Sequence, residues 1–305
     1  MVADLDQQRR DTRAAELIAS MPERLLCIIG PTASGKTDLA IETCERVGGE
    51  IISADSVQIY RGFDIGSGKP TPEERARAPH HLVDALDPLE TADAITYAGL
   101  AERAIEDVRS RGKVPVLCGG TFFWVRALVI GLAPAPSADE AIRAKHREIV
   151  NERGRIALHD ELARVDPASA ARLHPNDVLR VSRALEVHEL SGRTMSEHHA
   201  EHGFRAHRME YSMIGIGTTP EVLTERITRR ADAWLAQGWI DEVRDLMARG
   251  YGESRAMASV GYKEVRAHVA GALPRASLHD AIVQSTRIFA RKQRTWLKSA
   301  PVEWL

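Results

Sequence analysis

The sequence predicts an α/β protein: a parallel sheet flanked by helices and interrupted by an all-helical insertion. Three observations predict it. Short apolar runs alternate with helix-like segments through the N-terminal part. The first run enters a glycine-rich turn, GPTASGKT at Gly30 to Thr37, that opens directly onto a helix. From Asp139 to Arg193 only helical periodicity is present, and a strand-like run then returns at Tyr211 to Ile216. Short apolar strands alternating with helices imply a parallel sheet covered on both faces.

Composition sets the bounds. A chain of 305 residues exceeds one average domain, so a core with a second, inserted unit is the natural division. A hydrophobic fraction of 44% and a net charge of -2 describe a globular protein without a uniformly basic coat. Cys27, Cys44 and Cys118 are scattered without metal-ligand spacing and read as reduced thiols. No signal-peptide core or membrane-length apolar stretch occurs, so a cytoplasmic, membrane-free protein is expected.

Residues 1–23 read as a polar extension or short helix, and 24–137 as the first part of the core. Leu25 to Ile29 is a buried strand, and Asp38 to Val47 is the helix after the turn. GxxxxGK[ST] is the Walker A pattern, which makes the core P-loop NTPase-like. Its backbone N–H groups and helix start suit a phosphate chain, with Lys36 reaching the outer phosphate and Thr37 as the Mg²⁺ ligand. Gly49 to Ser53 is the second strand, ending at Asp55. The adjoining stretch, QIYRGFDIGSGKPTPEERARAPHH, is too rich in Gly and Pro for a core element, and loops this long are usually functional. His81 to Ala85 reads as a short strand, Tyr97 to Arg111 as a helix, and Val114 to Cys118 as a strand running into Gly119, Gly120 and Thr121.

Residues 138–205 form the helical insertion, entered through the hinge GLAPAPS. Residues 206–305 return to the sheet and end in helices. In the last of these, Arg287, Arg291, Arg294 and Lys298 recur at steps of four, three and four, which aligns four cations on one face. Ile282, Phe289 and Trp296 repeat every seven residues and are expected to pack inward. A solvated face usually mixes signs; this one has no acid from Ala281 to Val302 and suits a phosphate backbone.

Ligands of open α/β sheets bind outside the carboxyl ends of the strands, so the P-loop, Asp55 and Thr121 are candidates for one site. The ordinary reading of Asp55 is a cap, and of Gly119 and Gly120 a tight turn. Asp84 in HLVDALD is the one candidate Walker B acid, and no NKxD motif is present. Glu197, His198, His199, Glu201 and His202 hold a zinc-like i, i+4 His pair, but a solvated linker is the ordinary reading there, as it is for His80 and His81.

Together GPTASGKT, SADSVQIYRGFDIGSGKP, CGGT with the following RAL, HPNDVLRVSRALEV, SVGYKE and TRIFARKQRTWL resemble one family, the tRNA dimethylallyltransferases, over Leu25 to Lys298. The resemblance implies that tRNA, at its anticodon stem-loop, and dimethylallyl diphosphate are the partners, with Mg²⁺ as the cofactor; a monomer is expected, although the sequence does not give the oligomeric state. It implies that Asp55 is the general base toward an adenine N6 amine. Gly30, Pro31, Thr32, Ala33, Ser34, Gly35, Lys36 and Thr37, with Thr121 and Arg226, would hold the diphosphate. Asp55, Ser56, Val57, Gln58, Arg143, Arg180 and Arg183 fall in stretches that contact tRNA in the family. So do Gly261, Tyr262, Lys263, Arg291, Lys292, Gln293, Arg294, Trp296 and Lys298. Phe122, Phe123 and Trp124 depart from the small-Leu-Tyr sequence common after CGGT, which leaves the isoprenoid wall unassigned. Prenylation of free adenine nucleotide, a small-molecule kinase, and an RNA-binding ATPase without transfer activity are the alternatives.

Overall fold

The computed structural model describes residues 12–204, 207–298 and 300–305. The chain divides into two compact units, one of Met1–Val129 with Met209–Leu305 and one of Ile130–Arg208. The inserted unit therefore begins at Ile130 rather than 138 and runs to Arg208 rather than 205. The core reaches Val129 because the segment after Thr121 is a helix whose Trp124, Val125, Ala127, Leu128 and Val129 are buried.

In the first unit, six strands pair in parallel: β1 (Leu25–Ile29), β2 (Gly49–Ala54), β3 (His80–His81), β4 (Val114–Gly119), β5 (Tyr211–Gly215) and β6 (Val302–Trp304). Their spatial order is β3-β2-β4-β1-β5-β6. Every residue of β1 and β2 is buried, as continuous apolar runs in a parallel sheet require. Helices α1 (12–20), α2 (Lys36–Val47), α3 (Pro72–Arg77), α4 (Ala94–Ser110) and α5 (Phe122–Val129) precede the insertion. After it come α10 (Pro220–Ala236), α11 (Trp239–Ala248), α12 (Tyr262–Val269) and α13 (Arg275–Leu297).

Four expectations need correction. The extension is more than polar: Ala14, Leu17 and Ile18 of α1 bury against Leu26, Ile28, Leu39 and Val116, while residues 1–11 lie outside the described residues. The long loop after Asp55 contains α3, started by a Thr71–Glu74 capping box, and its Ile59, Tyr60 and Phe63 are fully buried. The strand expected at His81 to Ala85 stops at His81, because Leu82 and Asp84 turn to φ 60 and 57. There Asp84 receives hydrogen bonds from Lys69 and Arg75 and so braces the loop, away from any Walker B role. Strand β6 has only three residues, too few for a periodic signal; its register against β5 runs from Met213↔Val302 to Gly215↔Trp304.

The second unit consists of α6 (Glu140–Val165), α7 (Pro167–Ala170), α8 (Val178–Ser191) and α9 (Met195–His202). Gly154, at φ 83, breaks α6 into the two helices the sequence implied. Leu158, Leu162, Val181, Ala184 and Leu185 form its core. The segment read as a solvated linker is α9, opened by a Thr194–Glu197 capping box, with His198 buried.

Candidate functional site

Strand register sets the site. Ile29 lies opposite Gly119, and Gly119 opposite Ala54, so β1, β2 and β4 end at one level. The P-loop, Asp55 and Thr121, which leave the ends of these strands, are thereby brought to one edge of the sheet. The Gly119–Gly120 pair is required by close approach rather than by a turn. A Cβ on Gly119 would lie 2.2 Å from the Ala54 carbonyl oxygen, and one on Gly120 would lie 2.6 Å from Gln293 Nε2.

The P-loop closes with Gly35 at φ 93, a conformation open to glycine, immediately before α2. Lys36 Nζ reaches the Pro31 carbonyl at 3.4 Å. Burial of the ammonium lowers its pKa, opposed by the nearby Cys118 and Asp55. Ser34 Oγ is buried with no hydrogen-bond partner among the described residues, a polar position in a loop suited to oxygen-rich ligands. Arg226 of α10 donates from one guanidinium nitrogen to the Ala33 and Ser34 carbonyls, at 3.3 and 3.0 Å. One helical turn on, Arg230 donates to Thr32 Oγ1 at 2.7 Å and stacks on Trp234. Burial lowers its pKa to about 10, which leaves it charged at neutral pH. Arg230 escaped sequence reasoning although it sits one turn from Arg226, on the same face of α10.

Asp55 is held by its own turn. Its Oδ1 accepts from the Val57 and Gln58 N–H groups at 2.9 and 3.2 Å, while Oδ2 accepts no hydrogen bond among the described residues. Thr121 Oγ1 accepts from Ser56 N–H at 3.1 Å, which ties the β4 turn to the β2 turn. Asp55, Thr121 and Thr32 line one cavity of about 500 Å³ with Phe123, Trp124, Trp234, Trp239 and Phe289. Asp55 is the one carboxylate among the described lining residues.

Helix α11 braces this cavity. Trp239, fully buried, fills the space left by two glycines: a Cβ would come within 2.1 Å of its ring at Gly66 and 2.5 Å at Gly261. Glu242 accepts from the Asp64 and Ile65 N–H groups and from the Tyr262 hydroxyl.

The remaining sequence candidates separate into groups. Gln58 donates to the Ser67 and Gly68 carbonyls and folds its own loop. Tyr262 is fully buried against Phe63 and Trp239, so its ring supports the loop. Gln293 is also turned inward, accepting from Thr32 N–H at 2.8 Å and donating to Gly120 O at 2.9 Å. The inward stripe of α13 is Leu278, Ile282, Thr286, Ala290, Gln293 and Leu297; Phe289 and Trp296, expected inside, are 39% and 40% exposed. Arg287, Arg291 and Arg294 line a groove of about 380 Å³ with Leu223, Ile227 and Ile288, and Lys292 and Lys298 are exposed. Lys263 pairs with Glu264.

In the inserted unit, Arg143 and Arg183 are committed to the fully buried Glu186, and Arg180 pairs with Asp177. Glu197 accepts from Thr194 N–H in the capping box that opens α9, and Glu201 accepts from Arg193. Among the described residues no group of three or more His, Cys, Asp or Glu is placed to hold a metal ion. His80 and His81 bond to the Ala78 carbonyl and to Glu50. No described helix is long and apolar enough to cross a membrane.

Comparison with known proteins gives this arrangement its relatives. The profile of the family described as "IPP transferase" matches residues 58–300, and that of "Isopentenyl transferase" matches residues 23–84. A tRNA dimethylallyltransferase of Sorangium cellulosum is 61% identical over 284 residues, covering 93% of this chain and 90% of its own. That of Geobacter sulfurreducens is 44% identical, covering 94% and 93%. Among solved structures, the tRNA isopentenylpyrophosphate transferase of Bacillus halodurans superposes with TM-score 0.68 at 37% identity, covering 93% of this chain and 89% of its own. A eukaryotic dimethylallyltransferase acting on tRNA superposes with TM-score 0.72 at 26% identity, covering 90% and 70%. A profile spanning most of the sequence and near full-length relatives at this identity agree: the chain belongs to the IPP transferase family, that of the tRNA dimethylallyltransferases.

Proposed function

We propose that this member of a tRNA-modifying prenyltransferase family moves the dimethylallyl group of dimethylallyl diphosphate to the N6 amine of the adenine 3′ to the anticodon. Pyrophosphate is the other product. The observation that carries the reading is Asp55: the one described carboxylate lining the cavity, with Oδ1 fixed by two backbone N–H groups and Oδ2 open.

In the step we infer, the adenine N6 attacks the allylic carbon as the bond from that carbon to the bridging oxygen breaks. The electron pair leaves with pyrophosphate, and the N6 proton passes to Asp55 Oδ2. Negative charge growing on the leaving oxygen is met by the P-loop N–H groups, Lys36 and the cations of α10, in a partly dehydrated setting where such charges act strongly. A flipped base pays a few kcal/mol to leave its stack, least in a single-stranded loop, which favours an anticodon-loop substrate.

The residues fit Mg²⁺ of the kind bound mainly through substrate phosphates. Thr37 supplies a hydroxyl at the start of α2, and the unpartnered Ser34 Oγ leaves room for a further oxygen contact. Bound there, the ion would neutralise diphosphate charge. The groove of α13, lined by three arginines, supports a substrate with a phosphate backbone over free adenine nucleotide, and family membership leaves a kinase without support. We further infer a monomer working in the cytoplasm.

The test is incubation with unmodified tRNA and labelled dimethylallyl diphosphate, with nucleoside analysis of the product. Label in N6-alkylated adenosine is expected; none in adenosine would refute the reading.

A further inference from the structure

Two cations line the Asp55 cavity, and they differ in what they already hold. Arg230 is buried, bonded to Thr32 and stacked on Trp234. Arg255, on the loop between α11 and α12, is exposed and makes no hydrogen bond or ion pair among the described residues. Its neighbours are engaged: Glu253 pairs with Arg266, and Ser254 Oγ accepts from Met257 N–H. On the same loop, Ser259 lines the cavity as well, and its Oγ is buried without a partner among the described residues. Two aromatic side chains of the lining are also open to solvent, Phe123 at 50% and Phe289 at 39% exposure.

An unpaired guanidinium and exposed rings at the rim of a cavity with a single acid inside match a nucleotide entering base first. The base must pass inward to reach Asp55, while its phosphates stay at the rim. Arginine binds phosphate oxygens through paired donors, and aromatic faces stack on unpaired bases whatever their identity. We infer that Arg255 and Phe123 form an entrance clamp in this chain: Arg255 holds a phosphate beside the flipped adenosine, and Phe123 stacks on an unpaired base of the loop. Neither residue belongs to the motifs that carry the family resemblance to tRNA contact. This clamp rests on the transfer reaction proposed above.

The test measures steady-state transfer by the wild type and by R255Q, R255K and F123A, with an unmodified anticodon stem-loop RNA and dimethylallyl diphosphate. Both side chains are exposed, so the variants are expected to fold; unfolding midpoints check this. Arg255→Gln and Phe123→Ala should each raise the KM for RNA about tenfold, with kcat and the KM for dimethylallyl diphosphate within about twofold. Arg255→Gln should also shrink the log–log salt slope of RNA binding by about 0.7, and Arg255→Lys should keep the slope while recovering part of the affinity. An unchanged KM for RNA and an unchanged slope in R255Q, with an active wild type, overturn the clamp. An inactive wild type overturns the underlying reaction instead.

Discussion

The side chain of Gln293 and the backbone of Thr32 are joined by a 2.8 Å hydrogen bond that fastens α13 to the P-loop. Through its amide nitrogen the same side chain holds the Gly120 carbonyl, so one residue spans the two turns that frame the cavity. Gln293 has only 9% of its surface exposed and leaves a buried donor and acceptor behind when truncated. Each such loss costs about 1–3 kcal/mol. Gln293→Ala is therefore expected to lower stability by a few kcal/mol and to raise the KM for dimethylallyl diphosphate more than that for tRNA. Denaturant titration and kinetics with each substrate varied check this; a selective loss of tRNA affinity would return Gln293 to direct tRNA contact.

Asp55→Ala should reduce kcat by about 10² to 10⁴-fold, the usual size of general-base assistance. The Val57 and Gln58 N–H groups lose their acceptor as well. A filter-binding measurement is expected to give tRNA affinity within a few-fold of wild type. Transfer within about tenfold of wild type would remove Asp55 from the base role.

The cations of α13 predict a salt dependence. If Arg287, Arg291, Lys292, Arg294 and Lys298 all meet phosphates, α13 contributes roughly -3.5 to the log–log slope of tRNA binding on single-strand values. Replacing Arg287, Arg291 and Arg294 by Gln should reduce its magnitude by about 2. The same replacement at Arg143 should leave the slope nearly unchanged, because its guanidinium is already spent on Glu186. Equal effects from the two sets would show that the pairing with Glu186 does not hold Arg143 back.

These outcomes separate what could be read in the sequence from what could not. The P-loop, Asp55 and Thr121 were legible because strand order alone carries them to one sheet edge. Arg230, Trp239 and Glu242 were not, since their roles depend on which loop α10 and α11 meet in space. The inward face of α13 was misread for a related reason. Apolar spacing favours Phe289 and Trp296, but α13 lies against the P-loop and α10, where Ala290, Thr286 and Gln293 fit and bulky rings do not. In the inserted unit, Arg143 and Arg183 looked like free surface cations because the burial of Glu186, which sits one turn from Arg183 on α8 and also receives Arg143 from α6, depends on how the two helices pack. Short elements such as α3 and β6, of six and three residues, went unread because they offer no period to detect, and β3, of two, was read too long.

Acid should weaken the fold through Glu50. Its carboxylate, 8% exposed, receives Arg111 and His81, and the Arg111 hydrogen bonds bring its pKa down to about 2 from an ordinary 4.5. A folded-state pKa below the unfolded one stabilises the protein fully above about pH 5, and that contribution fades as pH falls toward 2. The full shift corresponds to about 3 kcal/mol, but Arg111 is 42% exposed and solvent screening reduces this to roughly half. Glu50→Gln is thus expected to unfold earlier than wild type at pH 7 by about 1–2 kcal/mol. The gap should narrow steadily between pH 5 and pH 3, because the wild-type carboxylate is then losing the advantage that the amide never had. Urea titrations of both proteins across that range measure it, and a gap that stays constant down to pH 3 would show that Glu50 titrates normally in the folded protein.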